Sequence, residues 1–205
     1  PIPSRNVFPK PIQQPHPPLW QTSTSPESFR MAGQLGVGVL GTTLVSPLST
    51  LRVLLDEYDR GLAEAEPVGA FVNGQRSIFT FMFCAETREK AIESGAAEAV
   101  LWFITAAPDV FHVPRAVWID AIRGDLTDSA PGSATALDAP EVFDDLDLND
   151  PVPVIALLNR QLAGQPIDPV EAFEVMETIE SVIIGDVDAC QAKLEGYAAI
   201  GCDRL

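Results

Sequence analysis

The sequence predicts an α/β fold in which strands and helices alternate around a parallel sheet. Short apolar stretches alternate with amphipathic helical stretches along the 205-residue chain, which is the pattern of α/β proteins. Residues 77–84 are apolar at nearly every position, as in strands that are covered on both faces, and such strands belong to parallel sheets. No glycine-rich dinucleotide fingerprint follows any strand, so a barrel is favoured over a doubly wound sheet.

The composition limits the classes of partner. A net charge of −16 argues against binding to nucleic acid or to an anionic membrane surface. No apolar run approaches the ~20 residues of a membrane span, and no signal peptide is visible. We therefore expect a cytoplasmic protein that binds neither nucleic acid nor membrane.

Cysteines and histidines predict neither a disulfide framework nor a metal site. Cys84, Cys190 and Cys202 are odd in number and far apart, which is typical of reduced, mostly buried thiols in a cytoplasmic protein. The only two histidines, His16 and His112, have no metal-ligand spacing, so no metal is expected.

The amino-terminal segment, residues 1–18, contains seven prolines. Such a segment is extended and forms neither a helix nor a central strand. We interpret it as a connecting loop whose preceding element is absent.

The first strand–helix–strand unit follows directly. Residues 19–22 are apolar and aromatic and predict a buried strand. Ser25 is placed as an N-cap with Pro26 at the first helical position, and Gly36 ends the helix. Residues 37–40 then predict the next buried strand.

The turn between this strand and helix is a candidate anion site. The free amides and the helix dipole both favour a phosphate beside Thr24, Ser25 and Ser28. Pro26 removes one amide donor, and most turns of this kind are ordinary helix caps. Spacing alone leaves both interpretations open.

The middle of the chain continues the alternation. A helix is predicted from about Leu48, with an apolar face at 3-4-3-4 spacing formed by Leu48, Leu51, Leu55, Tyr58 and Leu62. Residues 77–84 form the third strand, and Thr87 opens a helix that runs towards Trp102.

Residues 107–149 differ from the rest because they are strongly acidic. A solvated insertion loop is the favoured interpretation, and a lid over the site is the alternative.

The carboxyl-terminal part predicts two capped helices. Asp168 and Glu171 form a capping box around Pro169. Asp186 caps the final helix, which ends at Gly201 and whose inner face carries Val187, Cys190, Leu194 and Tyr197. Residues 202–205 begin what is expected to be another strand.

Several motifs in this order resemble the luciferase-like monooxygenase family, the flavin-dependent enzymes related to bacterial luciferase. They are the sequences at residues 14–20, 25–28 and 32–38, and the closing sequences at 183–188 and 197–205. The resemblance implies a TIM (β/α)8 barrel, which in such relatives has about 300 residues. Residues 1–205 are then the carboxyl-terminal portion of one barrel domain, from just before the fifth strand to the start of the eighth, with an acidic insertion or lid at 107–150.

The resemblance also implies the chemistry. It is that of a flavin-dependent monooxygenase, an enzyme that uses reduced FMN and O₂ to oxygenate a small organic substrate, with the FMN supplied by a separate flavin reductase and a homodimer as the assembly. The alternatives are an F420-dependent oxidoreductase of the same fold and a non-catalytic flavin-binding protein or interaction module.

In relatives the turn after the fifth strand holds the flavin phosphate, and by position this turn is Thr24, Ser25 and Ser28 here. Gly185 and Asp186 are a second candidate for which a structural cap is the favoured interpretation. Trp20 is expected either in the pocket or in the core. No catalytic residue is assigned.

Overall fold

The computed structural model describes residue 6 and residues 8–123 and 146–205. Within these ranges the five strands are β1 (Trp20–Thr22), β2 (Gly38–Thr42), β3 (Arg76–Phe79), β4 (Met82–Cys84) and β5 (Ile183–Gly185). The helices are α1 (Pro26–Gln34), α2 (Leu48–Leu62), α3 (Arg88–Glu93), α4 (Ala96–Phe111), α5 (Arg115–Arg123), α6 (Pro153–Leu162), α7 (Pro169–Thr178) and α8 (Val187–Ala199). The alternation predicted from the sequence is therefore confirmed as an α/β fold.

All strand pairings are parallel. β1, β2 and β3 form one sheet in that order, with Thr22 opposite Leu40 and Thr42 opposite Phe79. β4 and β5 form a second sheet, with Cys84 opposite Gly185. Parallel strands need helical crossovers, and α1 and α2 provide them between the first three strands.

β3 and β4 are two parts of one interrupted chain segment. The Ile183 amide donates to the Phe81 carbonyl at 3.0 Å, so the pairing with β5 begins where the pairing with β2 ends. Ser77 also forms a parallel bridge with Arg204, which confirms strand-like pairing for the last residues. Within the described ranges these two sheets do not close into a barrel.

One hydrophobic core lies between the first sheet and helices α1, α2 and α8. Gly33 of α1 and Gly61 of α2 let the two helices approach closely, because a Cβ on Gly33 would lie 2.6 Å from the Leu62 amide nitrogen. Phe29, Leu55 and Tyr58 are fully or almost fully buried in this core. The helical face predicted from Leu48 onward is thereby confirmed.

A second hydrophobic core joins α4, α6 and α7 to β5 of the second sheet. Its fully or almost fully buried side chains include Leu101, Ile104, Ile155, Leu158 and Phe173. Helix α6 was not predicted from the sequence, although Pro153 at its start and the apolar positions that follow are typical helix signals.

The expectation of strands covered on both faces is wrong for residues 77–84, of which Ile78 alone is buried, and for Trp20 and Leu40, whereas all of β5 is buried. Trp20 and Leu40 are each 37% exposed and Phe79 is 52% exposed, because the helices cover only the opposite face of the first sheet. In β4, all three residues are exposed, including Cys84. The expectation of mostly buried thiols therefore fails for Cys84, whereas Cys190 is buried.

The loop interpretation of residues 107–149 is wrong for residues 107–111 and 115–123. Helix α4 continues to Phe111 and α5 follows it, burying Val117, Trp118 and Ile122. These apolar side chains recur at helical spacing, and this signal outweighs the acidity of the sequence further on. Residues 124–145, which make up half of the predicted acidic insertion at 107–150, lie outside the described residues.

The predicted helix starts are largely confirmed. Asp168 Oδ1 accepts from the Val170 and Glu171 amides at 2.9 and 3.0 Å. The capping box is only half formed, since Glu171 pairs with Arg160 of α6 instead. Asp186 Oδ1 caps α8 by accepting from the Ala189 amide at 3.0 Å.

The inner face predicted for α8 is correct for Cys190 and Tyr197, which are buried. It is wrong for Val187, which is 59% exposed at the first helical position.

None of the helices in the described part of the chain is both long and apolar enough to cross a membrane.

Candidate functional site

A cavity of about 590 Å³ opens at the carboxyl ends of β1, β2 and β3. Thr22, Thr42 and Phe79 are the last residues of these three strands, and all three line it. In parallel α/β sheets this edge is where ligands bind, because the loops that follow the strands gather there. The cavity is therefore the leading candidate for a small-molecule site.

Residues 43–46, which follow β2, form one wall of the cavity. Leu44 has a φ of 47°, a left-handed conformation that is costly for a residue with a branched side chain. The Ser181 hydroxyl donates to the Leu44 carbonyl at 3.2 Å, and the Thr43 amide donates to the Phe79 carbonyl at 3.2 Å. These bonds from two other parts of the chain hold the strained turn in place.

Tyr197 of α8 supports the same wall from behind. Its hydroxyl lies 2.7 Å from Thr43 Oγ1, 3.0 Å from Thr80 Oγ1 and 2.8 Å from the Ser181 carbonyl oxygen. Burial raises the pKa of Tyr197, so the phenol stays protonated and donates to one partner while accepting from another. The network joins α8 to three chain segments around the cavity.

The wall opposite the strand ends comes from α4 and α5. Phe103, Phe111 and Trp118 contribute aromatic rings, and Ser46 Oγ donates to the Ala121 carbonyl at 3.0 Å, which ties α5 to the loop after β2. Sequence reasoning missed Phe111 and Trp118 because it assigned residues 107–149 to an acidic loop, and it gave no role to Phe103, which precedes that segment. Their helical spacing was the signal that could have identified them.

The Thr24-Ser25-Ser28 turn has the geometry of a helix cap with converging donors. Ser28 Oγ accepts from the Thr24 amide at 3.2 Å, from the Ser25 amide at 3.0 Å and from Ser25 Oγ at 3.2 Å. The Ser28 amide in turn donates to Ser25 Oγ at 3.3 Å, which completes a capping box at the start of α1. Two backbone amides and one hydroxyl thus point at a single oxygen position.

The structure brings this turn to the edge of the cavity. Thr24 lines the cavity, whereas Ser25 and Ser28 lie just outside its lining. Trp20, at the start of β1, is not a lining residue and instead lies under the Arg204 guanidinium, 5.9 Å from it. Gly185 and Asp186 do not line the cavity either, and Asp186 acts as the cap of α8.

Comparison with known proteins identifies a family. No curated protein matches the chain. The family model described as luciferase-like monooxygenase matches residues 2–204, nearly the whole chain. Its members are flavin-dependent monooxygenases and oxidoreductases that use FMN or F420. Parallel strands, a cavity at their carboxyl ends and this match agree, and the chain belongs to the luciferase-like monooxygenase family.

Proposed function

We propose that the chain is part of a flavin-dependent monooxygenase and that the turn of Thr24, Ser25 and Ser28 holds the phosphate of FMN. The observation that carries this is the convergence of the Thr24 and Ser25 amides on one oxygen position, now filled by Ser28 Oγ. A phosphate oxygen is a stronger acceptor for these donors than a neutral hydroxyl. The positive end of the α1 dipole acts in the same direction.

The residues present fit a phosphate group at this position. If Ser28 rotates away from its own turn, its hydroxyl and that of Ser25 add two donors to the two amides. Glu27 in the first turn is the unfavourable element, because its carboxylate carries the same sign of charge as the phosphate. The donors must offset this repulsion.

FMN, when bound in reduced form, supplies the electrons that activate O₂ for insertion of one oxygen atom into an organic substrate. The residues of this chain bind and orient: the turn anchors the phosphate, and Thr24 connects it to the cavity. The apolar walls of α4 and α5 exclude water from the cavity. We assign no proton transfer to any side chain.

The proposal extends to the fold. Three parallel strands in sequential order, with β5 paired to β4 where the pairing of β3 with β2 ends, follow the order of neighbouring strands in a (β/α)8 barrel. The exposed face of the first sheet, which carries Trp20, Leu40 and Phe79, corresponds to the interior of such a barrel. Barrel interiors are packed with large apolar side chains. Trp20, Leu40 and Phe79 fit such an interior, and they are exposed here because the described sheets do not close around them.

Flavin binding tests the phosphate site. FMN affinity is measured by quenching of flavin fluorescence, with riboflavin, which lacks the phosphate, as the matched ligand. We expect FMN to bind more tightly than riboflavin. Ser28→Ala and Ser25→Ala should each weaken FMN binding by roughly tenfold to a hundredfold, as expected for charge-assisted hydrogen bonds, and leave riboflavin binding unchanged.

Ser49→Ala is the control, since Ser49 is exposed on α2, away from the turn. Equal affinities of the unsubstituted chain for FMN and riboflavin would place the phosphate elsewhere.

Two further measurements separate the rival functions. Binding of F420 in preference to FMN would favour hydride transfer by the deazaflavin, and the absorbance spectrum of the bound cofactor distinguishes the two. If the rate of oxygen uptake with reduced FMN is the same with and without each added organic compound, a non-catalytic flavin-binding protein is favoured. Reduced FMN from a separate reductase and a homodimer as the assembly remain part of the proposal.

A further inference from the structure

Among the residues that the structure describes, none that lines the cavity at the strand ends has an ionisable side chain. Its described walls consist of aliphatic and aromatic residues, hydroxyl residues and a glycine. A carboxylate, sulfonate or ammonium group placed there would lose its hydration without gaining a counter-charge, which is strongly unfavourable. Away from Thr24, which belongs to the proposed phosphate turn, the walls therefore select against ionic compounds.

Two buried polar atoms on these walls have no hydrogen-bond partner within the described part of the chain. One is the indole Nε1 of Trp118, whose side chain lies in the aromatic wall and is only 6% exposed. The other is Oγ1 of Thr42, at the end of β2. A buried polar group without a hydrogen-bond partner destabilises the folded chain, so each atom indicates a partner that is missing from the described residues.

The chemistry of the two atoms specifies the missing partner. An indole N–H is a donor only, whereas a threonine hydroxyl both donates and accepts. A carbonyl, ether or hydroxyl oxygen on a ligand would satisfy the Trp118 donor without bringing a charge into the cavity. The Thr42 hydroxyl supplies a second hydrogen-bond donor on the side of the cavity that the strand ends form.

We infer that this cavity is the substrate site and that it takes an uncharged, mainly hydrocarbon compound with one hydrogen-bond-accepting oxygen, which Trp118 and Thr42 recognise. Calling this ligand a substrate rests on the proposed function. Binding of the ligand itself does not require flavin. The volume of about 590 Å³ is within the range of sites for small organic ligands. Phe103 and Phe111 provide the apolar contact area.

Direct binding tests the polarity of the ligand. A ten-carbon methyl ketone and decanoate serve as probes of equal chain length, with affinity measured by calorimetry at neutral pH, with and without FMN. We expect the ketone to bind at least tenfold more tightly than decanoate in the chain without FMN. Equal or tighter binding of decanoate would overturn the inference, as would failure of the ketone to bind under both conditions.

Substitutions test the two polar atoms. Trp118→Phe removes the N–H but keeps an aromatic ring, and Thr42→Val removes the hydroxyl but keeps the shape. Each should weaken ketone binding severalfold and narrow the difference between ketone and decanoate. Trp102→Phe is the matched control, because Trp102 lies on α4 but is 64% exposed and does not line the cavity.

If neither variant changes ketone affinity while both remain folded by circular dichroism, these residues do not recognise the ligand and the inference fails. Thr42→Val keeps the test valid if Trp118→Phe does not fold. FMN titration of the same samples keeps the two proposals distinguishable. Ketone binding without FMN binding would contradict the flavin assignment alone, and FMN binding without ketone binding would contradict the substrate class alone.

Discussion

The hydroxyl of Tyr197 lies 2.7 Å from Thr43 Oγ1, although 154 residues separate the two along the chain. Both side chains are almost fully buried, since Tyr197 is 1% exposed and Thr43 is 3% exposed. The contact connects the last helix to the loop that forms a wall of the cavity. It therefore couples the stability of the carboxyl-terminal part to the shape of the candidate site.

Tyr197→Phe should lower the free energy of unfolding by about 1–3 kcal/mol, because it leaves the Thr43 hydroxyl and the Ser181 carbonyl without one of their buried partners. Chemical denaturation monitored by circular dichroism measures the loss. Thr178→Val is the control: its hydroxyl bonds to the Val175 carbonyl at an exposed site, so a loss below about 0.5 kcal/mol is expected. Equal losses in the two variants would show that the Tyr197 network contributes nothing specific.

The sequence predicted those parts of the fold that depend on neighbouring residues. Ser25 and Asp186 were recognised as helix caps because a cap needs only its own side chain and the next three amides. The apolar face of α2 was recognised from its spacing. These signals are local, so they survive without knowledge of the tertiary structure.

The features that could not be predicted from the sequence depend on contacts between residues that are far apart along the chain. Nothing in the sequence indicates that Tyr197 meets Thr43, or that Trp118 lines a cavity formed by strand ends. The strand segment 77–84 reads as buried on both faces, but which residues are covered depends on what packs against the sheet. For the proposed phosphate turn, the sequence predicted the candidate residues, and the structure adds the convergence of their donors on Ser28 Oγ.

The two tyrosines of the chain provide a pH-dependent signal. Burial raises the pKa of Tyr58 to about 12 and also raises that of Tyr197, whereas an unfolded tyrosine titrates near pH 10. Above about pH 10 the unfolded state loses these protons before the folded state does, so stability falls as pH rises towards 12. We expect tyrosinate absorbance to appear only as the protein unfolds at alkaline pH.

Tyr58→Phe isolates one of the two groups. Other groups also titrate in this range, so the comparison is between the slopes of the unfolding free energy against pH in the variant and the unsubstituted chain. Between pH 10 and 12, the unfolding free energy of the variant should fall by up to about 2 kcal/mol less than that of the unsubstituted chain. Identical slopes, or tyrosinate formation near pH 10 in the folded chain, would contradict burial of this phenol.

Gly33→Ala should destabilise the protein by about 2 kcal/mol or more. A Cβ at this position would lie 2.6 Å from the Leu62 nitrogen and 2.9 Å from the Gly61 carbonyl carbon, and backbone atoms cannot move aside as a flexible side chain can. Thermal unfolding measures the effect. Gly74→Ala is the control, since its nearest neighbour would be Leu62 Cδ1 at 3.9 Å and little change is expected. Stability equal to that of the control would mean that α1 and α2 are not packed this closely.

Asp186→Ala should cost about 0.5–2 kcal/mol of stability, because the Ala189 amide at the start of α8 loses its acceptor. Asp188→Ala is the matched control: it removes a carboxylate from the same first turn without removing the cap, so it should cost less. Denaturant unfolding of the two variants gives the comparison. FMN affinity should stay unchanged in Asp186→Ala, since this cap lies outside the cavity and the phosphate turn. A large loss of FMN binding with little loss of stability would instead assign the phosphate to the start of α8, in place of the turn at Thr24, Ser25 and Ser28.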